Sequence, residues 1–182
     1  MKLFDEIPYI TGKNIYLRDL KTKDVECLKE LSNDEDINRY LPTFLYEHKY
    51  NNKSQIIKNY YEECFKTKEN LFLAVCLNNN EDKMVGLFEF YHYNEIKQKV
   101  SIGYRLSKSV WNKGIATEIV EIVLKYLKSV GIRTITAHIM VENNASKRVL
   151  EKNGFTLRYS NISEDFGRKD LVFVDKYILR FE

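Results

Sequence analysis

Ser107-Lys108-Ser109-Val110-Trp111-Asn112-Lys113-Gly114-Ile115-Ala116-Thr117 is the part of this 182-residue chain where residue types and spacing most clearly offer chemistry. It lies where a predicted strand ends and the strongest predicted helix begins. The first N–H groups of a helix have no carbonyl of their own to bond, and they point together along the positive end of the helix dipole. Such a spot suits a phosphate. Gly114 removes the side chain that would hold a ligand off the backbone, Ala116 is small for the same reason, and Lys108 and Lys113 add positive charge. The same residues would also start an ordinary helix after a flexible glycine, and spacing alone leaves both readings open. The phosphate-loop spacing with its Gly-Lys-Ser/Thr ending is absent, as is the three-glycine dinucleotide fingerprint, so kinase and Rossmann readings lose their main support.

Other reactive residue types give less. Cys27, Cys64 and Cys76 are odd in number and lack a paired spacing, which reads as three reduced structural thiols. His48, His92 and His138 are too scattered for a metal set, and no metal is expected. No Cys or Ser sits in a recognisable nucleophile motif. Asn143 is a good N-cap for a helix over 144–153, in which Ser146 would be a first-turn residue.

The elements that must position these residues follow from periodicity. Asn14 to Arg18 predicts a strand, and Thr22 offers an N-cap for a helix carrying Val25, Leu28 and Leu31. A short helical piece over Asp34 to Tyr40 stops before Pro42, and a longer one runs from Ser54 to Lys66. Leu71–Leu77 and Met84–Tyr91 flank the polar cluster 78–83 and predict a hairpin. Gln98 to Leu106 alternates, with Val100, Ile102, Tyr104 and Leu106 on one face and Ser101, Gly103 and Arg105 on the other, as a third antiparallel strand would. Ile115 to Val130 is a wide apolar helical face with Gly131 closing it. Strand 134–141, helix 144–153 closed by Gly154, and strands 155–159 and 171–180 complete the pattern. This pattern predicts one mixed α/β domain over residues 1–182, with a mostly antiparallel sheet.

Composition fits that reading. With 44% apolar and 13% aromatic residues the chain can build a real core. The formal charge of +3, from 29 basic and 26 acidic side chains spread throughout, gives no nucleic-acid footprint. Charges at Glu118, Glu121, Lys125 and Lys128 break the longest apolar stretch, and Asp5 and Glu6 interrupt any signal sequence, so neither a membrane nor export is expected and the cytoplasm is the expected location.

Taken together, Ile102-Gly103-Tyr104-Arg105-Leu106, then Trp111 to Glu118, then Val141 to Phe155 resemble the GCN5-related N-acetyltransferase (GNAT) superfamily. Ile15-Tyr16-Leu17-Arg18, Asp24 and Asn38-Arg39-Tyr40-Leu41-Pro42 extend the resemblance over roughly residues 10 to 160, closest to the ribosomal-protein N-terminal acetyltransferases. The resemblance implies a domain with splayed central strands and acetyl-CoA as co-substrate. It implies that backbone amides of Trp111, Asn112, Lys113, Gly114, Ile115, Ala116 and Thr117 cradle the pyrophosphate, and that the pantetheine arm bonds the free strand edge near Tyr104 and Leu106. It implies further that Asn143 points at the cofactor arm and Ser146 donates a hydrogen bond as the thiolate leaves. Its partners would be acetyl-CoA and an amine, with a homodimer compatible.

One departure bears on chemistry: many relatives have Glu at the position of Ser101, a candidate general base. Glu89, Tyr91, His92 and Glu142 are possible substitutes. An amine must be neutral to attack a thioester. An α-amine, with a reference pKa near 7.7 to 8.0, is roughly one-tenth neutral at pH 7, whereas a lysine is neutral about once in 2,500. A missing base therefore favours a protein or peptide N-terminus, transferred to directly in a ternary complex. The rival readings are acetylation of a small amine (polyamine, antibiotic or amino acid) and a non-catalytic acetyl-CoA sensor.

Overall fold

The computed structural model describes residues 2–42, 53–78 and 82–182. Among them, eight strands form one sheet in the order β1-β2-β3-β4-β5-β6-β8-β7. The strands are β1 (Ile10–Thr11), β2 (Ile15–Arg18), β3 (Asn70–Leu77), β4 (Met84–Asn94), β5 (Lys99–Leu106), β6 (Thr134–Met140), β7 (Thr156–Glu164) and β8 (Val172–Arg180). The helices are α1 (Val25–Asn33), α2 (Glu35–Asn38), α3 (Lys53–Ile56), α4 (Glu62–Lys66), α5 (Ile115–Ser129) and α6 (Asn144–Lys152). A π-helical turn, Ile57–Tyr61, joins α3 to α4.

Every neighbouring pair of strands is antiparallel except β5 and β6, which run parallel. A parallel pair needs a crossover, and α5 supplies it. Its apolar stripe buries Ile115, Ile119, Val120, Ile122, Val123, Leu124 and Leu127 on one face of the sheet. There it meets Val100, Ile102 and Leu106 of β5, Phe88 and Phe90 of β4, and Ile135 and Ala137 of β6. The predicted alternation of β5 is thus observed, with Tyr104 packed against the same cluster. On the opposite face, α1 and the α3–α4 run lay Leu28, Leu31, Ile56, Ile57 and Tyr61 over Phe72, Ala74, Cys76 and Leu87.

Several boundaries differ from expectation for local reasons. Thr22 does not cap α1. A 3-10 turn, Thr22–Asp24, intervenes, and the buried Asp24 accepts the N–H of Lys21 at 2.7 Å. Asp24 also takes both terminal nitrogens of Arg18, at 2.7 and 2.9 Å, while Arg18 Nε donates to Asp82 at 2.7 Å. This buried pair ties β2 to the start of α1 and to the residue leading into β4. The helix expected over 34–40 is only Glu35–Asn38, capped by Asp34. β7 continues to Glu164, and β1 is a two-residue strand with no sequence signal. Within the polar cluster 78–83, residues 79–81 lie outside the described residues, as does His48.

The mouth of α5 is anchored to β2. Glu118 accepts the backbone N–H of Asn14 at 2.7 Å and its side-chain amide at 2.8 Å, which lowers the Glu118 pKa against the opposing effect of burial. Gly12 makes room for this: a Cβ there would stand 2.6 Å from Glu118 Oε1 and 3.2 Å from Ile122 Cγ2. Gly12→Ala is therefore expected to lower the unfolding free energy by about 1–3 kcal/mol in urea titration, the usual cost of overpacking. An unchanged midpoint would show that the contact relaxes freely.

Candidate functional site

Two features meet at the centre of the sheet: a helix mouth rich in unclaimed amides and a fork between β5 and β6.

The chain reaches the helix mouth through a 3-10 turn, Lys108–Val110, and then through two residues in the left-handed region, Asn112 at φ 57° and Gly114 at φ 76°. Asn tolerates this conformation and Gly adopts it freely. Gly114 caps α5 without any side-chain hydrogen bond. The N–H of Trp111 bonds Lys108 O at 3.1 Å, and the next carbonyl–amide bond in sequence is Glu118 N to Gly114 O. Among the described residues no acceptor takes the N–H of Asn112, Lys113, Gly114, Ile115, Ala116 or Thr117. A Cβ on Gly114 would meet nothing within 4 Å, so the amides open onto free space. The lysines contribute differently from expectation. Lys108 is held by Asp34 and Asp36 of the α2 turn, which raises its pKa and offsets its charge with two carboxylates, while Lys113 donates to Ser109 O at 2.7 Å. Among the described residues no carboxylate holds Lys113, so its charge stands beside the open amides while that of Lys108 is offset.

The fork begins where β5–β6 pairing ends. The registers are Lys99 with Thr134, Val100 with Ile135 and Ser101 with Thr136. At that last pair the buried hydroxyls of Ser101 and Thr136 share a 2.8 Å hydrogen bond. Beyond it, β5 stays with β4 to Leu106, and β6 stays with β8 to Met140. Gln98 O accepts from the β6 side, so by strand alternation the main-chain groups of Tyr104 and Leu106 face the opening. The Leu106 carbonyl is not free as expected, because the indole N–H of Trp111 donates to it at 2.8 Å. This folds the exposed Trp111 ring back over the strand end. The Tyr104 edge and the Leu106 N–H have no ladder partner.

Side chains reach the fork from both faces. On the α5 face, the Tyr104 hydroxyl donates to Ser146 Oγ at 3.4 Å, and burial raises the Tyr104 pKa, so the phenol stays a proton donor. Ser146 sits in the first turn of α6, where Asn143 Oδ1 accepts its N–H at 3.1 Å. Asn143 is thus the cap that fixes Ser146. On the α1 face stand Glu89, Tyr91 and His138. Burial pushes Glu89 up to about 7, the Tyr91 hydroxyl reaches the backbone of His138, and His138 pairs with Glu164 at 2.6 Å. Glu89 is a lone carboxylate in the otherwise apolar run Met84–Tyr91, the one signal in the sequence that marks it.

Residues 14–156 match a family described as acetyltransferase (GNAT) domain. The chain is 31% identical to Bacillus subtilis YjcK, named a probable N-acetyltransferase, over 154 residues covering 80% of this chain and 82% of that protein. Its fold is similar to spermidine N-acetyltransferase from Vibrio cholerae, solved with CoA and spermine (TM-score 0.76, 19% identity, 93% of this chain and 96% of that one). It is equally similar to RimL, a ribosomal α-N-protein acetyltransferase solved with coenzyme A (TM-score 0.78, 19% identity, 95% and 98%).

A side chain at position 114 would enter the space the amides face. Gly114→Val is expected to weaken coenzyme A binding at least about tenfold, or ~1.4 kcal/mol, in calorimetric titration. Unchanged affinity would reject the cradle.

Proposed function

The chain belongs to the GNAT family of acetyltransferases and is an acyltransferase; on that premise we propose that it moves the acetyl group of acetyl-CoA onto the α-amine of a protein or peptide. The observation that carries this reading is the row of unclaimed amides at residues 112–117 opening beside an unpaired strand edge. The site fits the coenzyme: free N–H groups suit a pyrophosphate, and the Tyr104 edge suits an amide-bearing arm that pairs as a strand would. Acetyl-CoA supplies an activated acetyl group as a thioester.

The chain's own residues bind, orient and move protons. The amides of Asn112 to Thr117 hold the diphosphate, and the backbone of Tyr104 and the Leu106 N–H hold the arm. Trp111 must release the Leu106 carbonyl if that group is to join them. Ser146 donates its hydroxyl hydrogen to the departing sulfur, backed by the Tyr104 phenol, which donates to Ser146 Oγ. Asn143 acts through its cap, as a positioning residue for Ser146. No residue is asked to form a covalent intermediate, so catalysis is orientation plus proton transfer in a ternary complex.

The acceptor is inferred from position 101. With serine there and its hydroxyl locked to Thr136, that position offers no carboxylate to deprotonate an amine. An acceptor that is already partly neutral then gains most. RimL, named for α-N-protein acetylation, shares the fold, as does the spermidine enzyme, so fold alone does not choose between them. The three cysteines are unpaired thiols, which agrees with action in the cytoplasm.

At pH 7, kcat/KM for a peptide with a free α-amine is expected to exceed that for an N-blocked lysine peptide by about 250-fold, following their neutral fractions. CoA thiol release across a panel including polyamines reads this, and a polyamine or lysine preference would overturn the acceptor class. Ser146→Ala is expected to lower kcat about tenfold or more while changing KM for acetyl-CoA less. An unchanged kcat would remove Ser146 from the reaction.

A further inference from the structure

The register of β4 on β5 puts Glu89 opposite Gly103, two residues beyond the point where β5 and β6 part. Because Gly103 has no side chain, Glu89 lies across it. A Cβ at position 103 would stand 2.8 Å from Glu89 Oε1, 3.2 Å from its Cγ and 3.5 Å from its Cδ. The carboxylate therefore rests over β5 itself, on the face opposite the Tyr104–Ser146 pair. Its neighbour on the same face of β4, Tyr91, already spans the fork to the backbone of His138. Side chains on this face of β4 thus reach the opening.

We propose that Glu89, lying across the bare Gly103, is the general base that takes the proton from the acceptor's ammonium group as it enters the fork from the α1 face. The inference rests on the acetyl-transfer reading above and deepens it. Glu89 replaces a carboxylate that position 101 lacks, from the adjacent strand.

Two protons leave the ammonium nitrogen in the overall reaction. Glu89 takes the first, giving a neutral amine and a protonated carboxyl that later returns the proton to water. The amine lone pair then forms the C–N bond as the C–S bond breaks. The second proton, lost from the nitrogen after attack, balances the one that the leaving sulfur acquires through Ser146.

The surroundings suit this role. Glu89 is half-buried, so a small group can reach it, and no hydrogen-bond donor among the described residues holds it in the charged form. The titratable groups facing it are Tyr61 from the helical layer and Tyr91 from its own strand; Arg105 lies on the same face of β5, and His138 with Glu164 beyond Tyr91. Burial alone accounts for its raised pKa of about 7. A base of that strength is within about one unit of an α-ammonium but more than three units below a lysine, so it discriminates in favour of the former.

The test compares wild type, Glu89→Gln and Gly103→Ala with a peptide bearing a free α-amine. At pH 7, Glu89→Gln is expected to lower kcat/KM about tenfold, because an unassisted α-amine is only about one-tenth neutral there. The deficit should shrink to about threefold by about pH 9.5, where the amine is neutral without help. In the same variant the acid limb of kcat/KM moves from about 7 to the amine's own value, and coenzyme A affinity by calorimetry stays within about twofold. Carbon-13 titration of the glutamate carboxyls should show a group near 7 in wild type that is missing in Glu89→Gln. Gly103→Ala, which displaces the carboxylate, should copy the kinetic defect. A pH-independent deficit, an unmoved acid limb or a full-activity Glu89→Gln enzyme would overturn the assignment. Failure of wild type to bind coenzyme A would instead sink the underlying acetyl-transfer reading and take this one with it.

Discussion

β5 and β6 are each held on their far side, β5 by β4 as far as Leu106 and β6 by β8 as far as Met140. Between themselves they share three registered pairs, ending at Ser101 and Thr136. Neighbouring strands in a twisted sheet rotate relative to one another, so two strands pinned to different partners separate once their own ladder stops. The hydroxyl bond between Ser101 and Thr136 closes the apex. Everything placed around the site depends on this parting, because it leaves strand-edge groups without partners in the middle of a sheet where they are otherwise always paired.

The fork also gives the site two entrances. The α5 and α6 layer covers one face and carries the amides of 112–117, Tyr104 and Ser146, a set that donates hydrogen bonds. The α1 to α4 layer covers the other and carries Glu89, Tyr91 and the His138–Glu164 pair, a set with acceptors for protons. In the proposed reaction, donor groups for the thiolate-releasing ligand and an acceptor for the ammonium proton stand on opposite sides of one slot. Two reactants that approach from opposite sides meet at the apex without either displacing the other, which is the orientation a direct transfer needs.

What was legible in the sequence was what short-range pattern controls. The period of Ile115 to Val130 gave α5 nearly to its ends, the alternation through 100–106 gave the faces of β5, and Gly114 with its small neighbours marked the helix mouth. What was not legible depends on register or on a single long contact. That Glu89 lies over Gly103 follows from the β4–β5 ladder, and a one-residue slip would turn it to the other face. The fold of the Trp111 indole onto Leu106 and the diversion of Lys108 to Asp34 and Asp36 are contacts that no local spacing encodes. β1 exists because Gly12 N bonds Ile15 O and lets a two-residue strand turn back, too short for any periodicity to register.

The cradle's cost explains its make-up. Six amides without protein partners would be expensive in a dry interior, where each such group forfeits about 1–3 kcal/mol. Residues 112–114 are exposed and 116–117 partly so, which leaves most of those amides open to water. The two left-handed residues that aim them are the types that adopt that conformation at least strain, Asn112 and Gly114, so little folding energy is lost in holding the loop ready. What rigidity the loop needs is supplied from outside it: Glu118 gripping Asn14 fixes the helix behind, and Trp111 bonding Leu106 fixes the strand in front. The amides are thereby oriented in advance, so a diphosphate held there as proposed would lose little affinity to ordering its own site.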